Sequence, residues 1–355
     1  MPQKEKILIG MSGGVDSSVA AFLLSREYET VGATMKLVAD DDTAAPVSGK
    51  ICCTADDAFD AKAVCFKLGI AHYVFNFTRE FDECVIADFA DEYKNGRTPN
   101  PCIVCNKALK FGKLLLRAKE IGCAGVATGH YARLGKIGGR TLLKKAADIK
   151  KDQTYFLYSL TGEQLSKTVF PLGGLTKEEV REIAEEQGLV TAKKAESQDI
   201  CFVRDGDYAA FLTRRGVLSP EGDFTDKNGN ILGRHKGIIH YTKGQRKGLG
   251  AFGSPKYVTG IDAESNRVIL GDSDDLFGKT VTIKNINLTA ADRLETPINC
   301  AAKIRYNAKE SPCTAVQTDS DTITITFDEP QKSATPGQAA VLYDGDLVIG
   351  GGIIV

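Results

Sequence analysis

The chain changes rhythm once along its length. Up to Asp207, short apolar runs alternate with segments of helical period. Ile7-Leu8-Ile9 predicts a buried strand, and Val15 to Arg26, with Val19, Phe22 and Leu23 on one face, a helix. Thr30 to Leu37 and His72 to Phe77 read as further strands, and Thr54 to Leu68 as a helix with Ala58, Ala61, Cys65 and Leu68 aligned. Between them, Ala39 to Lys50 is a polar loop with three successive aspartates, Pro46 and Gly49. Phe81 to Tyr93 and Lys107 to Ile121 have helical patterns, and Gly125-Val126-Ala127-Thr128-Gly129 is a short buried strand ending in a turn. In Leu172 to Gly188, Thr176 and Glu179 form a capping box ahead of Val180, Ile183 and Ala184. Strands alternating with helices imply a doubly wound parallel sheet, an α/β fold whose ligands lie at the carboxyl ends of the strands. Gly10-Met11, Met35 and Gly129-His130 fall at such ends, so three regions converge on one site.

After Asp207 helical patterning fades beyond the short Tyr208 to Arg214 segment. β-rich runs such as Val281-Thr282-Ile283, Thr322 to Phe327 and Ala340 to Tyr343 follow, separated by Gly, Asn and Asp, with a hairpin signal at Asp344-Gly345. This predicts small β-barrels. The expected division is residues 1–207 as a nucleotide-binding catalytic domain, 208–278 as a central β-rich domain and 279–355 as a C-terminal β-barrel.

The strand-to-helix junction Gly10-Met11-Ser12-Gly13-Gly14-Val15-Asp16-Ser17-Ser18 carries the first chemistry. Paired glycines permit positive φ and close approach of a ligand, and the N–H groups of a first helical turn suit a phosphate. A Walker loop needs Lys-Ser/Thr after its last glycine, and Val15-Asp16 stands there instead. Ser-Gly-Gly-Val-Asp-Ser resembles the pyrophosphate-binding loop of the ATP pyrophosphatases, which implies cleavage of ATP between its α- and β-phosphates.

Composition narrows the setting. The 355 residues carry a net charge of −1, so any polyanion site must be a local patch. No run is long and apolar enough to span a bilayer, and Met1-Pro2-Gln3-Lys4 lacks the apolar core of a signal peptide, so a cytoplasmic protein is expected. Ten cysteines in that compartment are not a disulfide framework. Cys52, Cys53, Cys65, Cys84, Cys123, Cys300 and Cys313 read as packing residues. Cys102, Cys105 and Cys201 differ. Pro99 and Pro101 rigidify a loop expected to enter a helix near Cys105 or Asn106, where the helix end favours a thiolate. Cys102-Ile103-Val104-Cys105 is equally compatible with half a zinc site or a redox pair, although no second pair of ligands completes a zinc set.

Six stretches taken in order carry a more specific resemblance: Ser12 to Ser17, Gly96 to Lys107 with Phe111-Gly112, Ala127 to Tyr131, Lys151 to Leu157, Ser197 to Phe202 and Thr242 to Gly248. Together with Arg305-Tyr306 and Pro336-Gly337-Gln338 they resemble the bacterial tRNA-uridine 2-sulfurtransferases, or 2-thiouridylases, along essentially the whole chain. The resemblance implies thiolation at C2 of the wobble uridine of lysine, glutamate and glutamine tRNAs, with ATP and Mg²⁺. It implies an ATP site at Gly10, Met11, Ser12, Gly13, Gly14, Val15, Asp16, Ser17, Met35 and Gly129. Cys105 matches the nucleophile and Cys201 the persulfide carrier. Asn100, Pro101 and Cys102 match the loop touching the target base, and His130, Lys151, Asp152, Gln153, Arg305, Tyr306 and Gln338 match tRNA contacts. Partners implied are tRNA, through its anticodon stem-loop, and a sulfur donor such as a cysteine desulfurase or sulfur-relay protein, acting on a monomer. Many members carry aspartate where this chain has Cys102. Three thiols could instead hold a [4Fe–4S] cluster that delivers sulfide, a second version of the same reaction.

Lys227 to Ile261 contains no acidic residue but holds Arg234, Lys236, Lys243, Arg246, Lys247 and Lys256, a candidate RNA-phosphate surface. Two other classes share parts of this pattern. An amide-forming synthetase would use the loop but not the Cys105 and Cys201 motifs. A metal-holding RNA-binding protein would use the cysteines but not the loop.

Overall fold

The computed structural model describes residues 4–38, 55–195, 200–203 and 206–355. The polar loop expected at Ala39 to Lys50, Cys52, Cys53 and Ser197 to Asp199 lie outside the described residues. The chain forms two compact units. One comprises residues 1–85, 102–206 and 345–348; the other comprises 86–101, 207–344 and 349–355.

The first unit is built on a parallel sheet of β1 (Lys6–Gly10), β2 (Glu29–Lys36), β3 (Ala71–Asn76), β4 (Gly125–Ala127) and β7 (Thr168–Val169), in the order β3-β2-β1-β4-β7. A hairpin outside this sheet, β5 (Arg133–Ile137) and β6 (Arg140–Lys144), pairs at Lys144 with Leu347 and turns at Gly138-Gly139, both at positive φ. Leu8 and Ile9 of the central strand are fully buried, as their unbroken apolar run requires. The Val15–Glu27 helix sets Val19, Ala20 and Leu24 against Val64, Cys65, Val180 and Ala184. Full burial of each larger side chain is worth about 1.5–3 kcal/mol. Because β2, β1 and β4 are parallel neighbours, their carboxyl ends lie along one edge of the sheet. That edge carries Met35, Gly10-Met11 and the Thr128-Gly129 turn.

The second unit contains two β modules. One is a four-stranded sheet, β10-β11-β8-β9, from β8 (Gly222–Thr225), β9 (Ile231–His235), β10 (Tyr257–Asp262) and β11 (Arg267–Gly271). The other is a six-stranded barrel of β12 (Phe277–Leu288), β13 (Ile298–Lys303), β14 (Ser311–Gln317), β15 (Ile323–Lys332), β16 (Ala339–Asp344) and β17 (Leu347–Ile354). Its order is β12-β15-β14-β13-β16-β17, and pairing of β17 with β12 closes it. Alternate residues Ile323, Ile325 and Phe327 point into its core beside Ile283, Ala315 and Leu342. Asp344-Gly345 is the turn between β16 and β17, with Gly345 at φ +58°.

Residues 86–101 join this second unit through aromatic packing. Phe89 of the Ala87–Lys94 helix lies 4.9 Å from Tyr93 and 6.3 Å from Phe211, ring centre to ring centre, the latter on the Tyr208–Arg214 helix.

Candidate active site

The glycine loop folds as the hydroxyl-rich sequence dictates. Gly14 is the N-cap of the Val15–Glu27 helix, and the hydroxyls of Ser17 and Ser18 both donate to its carbonyl, at 3.0 and 2.9 Å. Ser12 N donates to Ser17 Oγ at 3.3 Å and folds the loop back over the first turn. The two glycines do different things. Gly13 has φ +71°, and a Cβ there would meet Asp57 O at 2.3 Å, so the backbone admits no side chain. Gly14 has φ −96°, and its Cβ would touch only Ser12 Oγ at 3.5 Å. The space beside Gly14 is therefore left open by the fold. Gly129 at the end of β4 presses on the same turn, since a Cβ there would lie 2.8 Å from Asp16 C and Ser17 N.

Two lysines from far along the chain complete this loop. Lys177 Nζ donates to both carboxylate oxygens of Asp16, at 2.7 and 2.9 Å, and Tyr131 OH donates to Oδ1 at 2.8 Å. Lys177 opens the Lys177–Glu186 helix, whose Thr176–Glu179 capping box is formed. A buried cation at the positive end of a helix dipole is disfavoured. The Asp16 carboxylate offsets that cost, which gives Lys177 its reason to be there. Lys194 Nζ donates to Gly13 O at 3.0 Å, Asp57 Oδ1 at 2.5 Å and Asp60 Oδ2 at 2.7 Å. Burial pulls the Lys194 ammonium down, but its hydrogen bonds to Asp57 and Asp60 outweigh burial and leave its pKa raised. Sequence reasoning missed both lysines and Tyr131. The one available signal was a lysine directly after the helix cap, where acidic residues are preferred.

The thiol segment corrects one expectation. The helix does not begin near Cys105; it begins at Pro101. Proline at the first helical position already has the required φ and sacrifices no needed donor. Cys102 therefore sits in the first turn and is exposed, while Cys105 closes the Pro101–Cys105 helix and is buried. The run continues as a wide π turn, Asn106–Lys113, and then as Leu114–Glu120. The π turn accounts for Phe111-Gly112. A Cβ on Gly112 would meet Lys107 O at 2.9 Å, and Gln164 Nε2 donates to the carbonyls of Lys107 and Phe111 at 3.0 and 2.9 Å. Asn106 Nδ2 donates to Phe156 O at 3.1 Å. Cys201 is half-buried, and none of the described cysteines is in a disulfide. Among the described residues, no three His, Cys, Asp or Glu side chains stand together so as to hold a metal ion.

The residues matched to tRNA contacts have diverse surroundings. His130 is half-buried between Phe111 and Phe170, with Nδ1 2.7 Å from Thr128 Oγ1. Burial, aided by the Lys110 charge, holds its pKa well below the usual value, so the ring is neutral. Asp152 is buried; its oxygens accept from Ala146 N at 2.9 Å and Thr154 Oγ1 at 2.6 Å. Gln153 Oε1 accepts from Tyr131 N at 2.9 Å. These two side chains shape the turn in which Lys151 is half-buried. Arg305 donates to Lys332 O at 2.7 Å, and Lys303 Nζ lies 5.6 Å over the Tyr306 ring. Gln338 bonds the carbonyls of Thr98 and Pro99, just before Asn100.

The basic module is smaller than its sequence suggests. Asp223 pairs with Arg234 at 3.0 Å and Asp272 with Lys256 at 2.9 Å, acids that lie outside the Lys227–Ile261 stretch. Lys236, Arg246 and Lys247 are exposed, with no ion-pair partner among the described residues. Lys243 is half-buried, and burial lowers its pKa.

Comparison with known proteins matches family models to three stretches of the chain. Residues 5–205 match the family model described as tRNA methyl transferase HUP domain, 209–272 the tRNA methyl transferase PRC-barrel domain, and 278–354 the aminomethyltransferase beta-barrel domain. The tRNA-specific 2-thiouridylase MnmA of Clostridioides difficile is 52% identical over 100% of this chain and 99% of its own length. Those of Acetivibrio thermocellus and Clostridium acetobutylicum are 49% and 47% identical, each over 99% of both chains. With a parallel-sheet nucleotide loop, a central β module, a closed C-terminal barrel and relatives of this identity along its full length, the chain belongs to the tRNA-specific 2-thiouridylase family.

Proposed function

We propose that the protein installs sulfur at C2 of the wobble uridine of lysine, glutamate and glutamine tRNAs, at the expense of ATP. The C2 oxygen of uracil is a poor leaving group. It attacks the α-phosphorus of ATP, and pyrophosphate departs into the space beside Gly14 and the first turn of the Val15–Glu27 helix. Met35 and Gly129 border the nucleotide at the neighbouring strand ends. A carboxylate has about four acceptor positions. Lys177 and Tyr131 occupy three on Asp16, and the fourth, on Oδ2, would hold Mg²⁺. The ion's charge offsets that of the phosphates.

Sulfur arrives as a persulfide on Cys201, loaded by a cysteine desulfurase or sulfur-relay protein. Its terminal sulfur attacks C2 and AMP leaves. The Cys105 thiolate then attacks Sγ of Cys201, breaking the S–S bond to the base. The electron pair stays on the transferred sulfur as the thiocarbonyl, and a Cys105–Cys201 disulfide remains for an external thiol to reduce. The base must leave its stack to be reached, and Asn100, Pro101 and Cys102 line the loop that receives it. Lys151, Arg305 and Tyr306, the neutral His130 ring and the exposed Lys236, Arg246 and Lys247 meet the anticodon stem-loop. We place this activity in a cytoplasmic monomer.

The open space beside Gly14, at the N-terminus of the Val15–Glu27 helix and next to Asp16, supports this reading. The test is ATP turnover to AMP and pyrophosphate by the purified protein with unmodified tRNA, with 2-thiouridine detected by mass spectrometry of digested tRNA. AMP formation independent of tRNA would overturn it.

A further inference from the structure

We propose that Cys300 and Cys313 are a redox-active dithiol in the wall of the C-terminal barrel, which a small disulfide oxidises to a bridge across the hairpin bearing Arg305 and Tyr306. The pairing of β13 with β14 sets the two cysteines directly opposite each other. Directly opposed antiparallel residues have Cα atoms about 4.5–5.5 Å apart and side chains on one face, a separation that a disulfide accepts. The two sulfurs already lie 3.7 Å apart, so bridging needs rotation of side chains and little movement of backbone. Exposure divides the pair. Cys313 is 3% exposed and packs in the barrel core with Ala315 and Ile325, whereas Cys300 is half-buried and open to a reagent from solvent. Acidity divides it in the same way. The Cys313 S–H donates to Cys300, which holds the Cys300 thiol below its usual pKa although burial opposes this. Giving that hydrogen bond, with burial in addition, pushes the Cys313 thiol far up. Cys300 is therefore the sulfur that attacks, and Cys313 the thiol held in reserve.

The exchange balances with no further reactant. The Cys300 thiolate attacks one sulfur of the small disulfide, whose S–S bond breaks. One thiolate leaves, and a mixed disulfide stands on Cys300. Cys313 has then lost the acceptor that kept its proton. It gives that proton to the departed thiolate, attacks Sγ of Cys300 and releases the second thiolate. Two protein thiols have lost two electrons and two protons, and one small disulfide has become two thiols. The bridge lies two register pairs before the last one, Ala302 with Ser311. Beyond that pair the chain turns through Arg305 and Tyr306, with Ala308 N donating to Arg305 O at 3.1 Å and Arg305 donating to Lys332 O at 2.7 Å. Oxidation ties the base of this turn and restricts its freedom. The consequence for RNA rests on the reading of Arg305 and Tyr306 as tRNA contacts; the dithiol itself does not.

The full chain is incubated with oxidised glutathione, quenched with N-ethylmaleimide and digested with trypsin. Lys303, Arg305 and Lys309 separate the two cysteines, and the peptides 294–303 and 310–332 contain no other cysteine. Mass spectrometry therefore reads this pair apart from Cys105 and Cys201. We expect the two peptides to be joined in most of the oxidised protein and parted by dithiothreitol. Cys313→Ser should keep glutathione on Cys300, and Cys300→Ala should leave Cys313 unmodified. The proposal is overturned if the wild-type chain yields no joined peptides under conditions that load Cys300 in Cys313→Ser. It is also overturned if Cys313→Ser takes no glutathione on Cys300, or if glutathione accumulates on Cys313 in Cys300→Ala. For tRNA affinity the background is Cys201→Ser, which cannot form a disulfide between Cys105 and Cys201. Oxidation there should slow amide exchange across residues 301–312 and tighten tRNA binding about threefold, and should do neither once Cys300→Ala is added. Joined peptides with unmoved tRNA affinity would reject the consequence for RNA and leave the dithiol standing.

Discussion

The nucleotide loop and the proline loop are both short, polar and glycine- or proline-rich, yet they are held in opposite ways. Ser12 to Ser18 makes its own turn, since Ser17 and Ser18 bond Gly14 and Ser12 bonds Ser17, and remote Lys177, Tyr131 and Lys194 then clamp it. Gly96 to Pro101 is tied locally at Gly96 and Arg97, which bond Tyr93 and Glu92, and beyond them takes contacts from Thr242, Ile261 and Pro336 to Gln338, which are remote in sequence. A loop that is its own scaffold can be read locally. A loop held by others can be recognised only by resemblance. The same contrast divides the proposed chemistry, because the first loop serves adenylation and the second leads into the helix of Cys105.

The largest expected effect separates the two halves of that chemistry. Cys105→Ser and Cys201→Ser should each lower thiolation by at least ~10³-fold, as loss of an attacking group does. Both should keep tRNA-dependent formation of AMP, since neither thiol is needed to break the α–β bond of ATP. Parallel assays of 2-thiouridine and AMP measure this. Loss of AMP formation in Cys105→Ser would join the two loops into one functional unit and remove the contrast.

Within the nucleotide loop, the two glycines should fail differently. Gly13→Ala puts a side chain at φ +71° and into Asp57 O, and should destabilise the fold by about 3 kcal/mol or more. Gly14→Val should melt near wild type but lose ATP affinity by about 100-fold, near 3 kcal/mol, because its side chain fills the phosphate space. Lys177→Met should cost about 2–3 kcal/mol, since it strands a half-exposed Asp16 carboxylate, and Asp16→Asn should restore most of that loss. Melting curves and calorimetric ATP titration give all four values. Unchanged ATP affinity in Gly14→Val would refute the loop assignment.

How much of this was legible follows from the range of the interactions. The parallel sheet, the capping box at Thr176 and the β-rich second half are local patterns, and the sequence displays them. The start of the thiol helix was misread by four residues, because Pro101 serves equally as a loop residue or as a first helical residue. The π turn at Asn106–Lys113 leaves no periodic signature, and only Gly112 hints at it. The Lys177–Asp16 and Lys194–Asp57 pairs were invisible, because charges paired across more than a hundred positions look like solvated residues until the sheet brings them together.

The histidines compare the two units by acid. The four in the chain, His72 and His130 in the first unit and His235 and His240 in the second, all have pKa values lowered, by burial first. Neighbouring Lys110 adds to the effect at His130, and a bond to Asn266 O opposes it at His235. Below the ordinary histidine pKa of about 6.5 the unfolded chain binds protons the folded chain refuses, so stability falls as pH falls. Each fully refusing ring contributes up to about 1.4 kcal/mol per pH unit. Urea unfolding between pH 7.5 and 5.5 should show this loss, and His130→Phe should reduce it more than His235→Phe. Equal slopes in wild type and His130→Phe would show that the ring takes up its proton in the folded state.

The smallest effect tests whether the second unit holds RNA by charge. Arg234 and Lys256 are already neutralised by Asp223 and Asp272, so their removal should hardly matter. Arg246 and Lys247 are exposed, and Lys243 is half-buried beside them in sequence. Burial lowers the Lys243 pKa. Replacing all three with glutamine should flatten the log–log dependence of tRNA affinity on salt by about 0.7–0.9 for each phosphate left without its cation. Arg246→Gln and Lys247→Gln should each give a full step and Lys243→Gln no more than one. Single-turnover thiolation at saturating tRNA should stay near wild type. A slope unchanged in the triple variant would mean that this face is merely solvated.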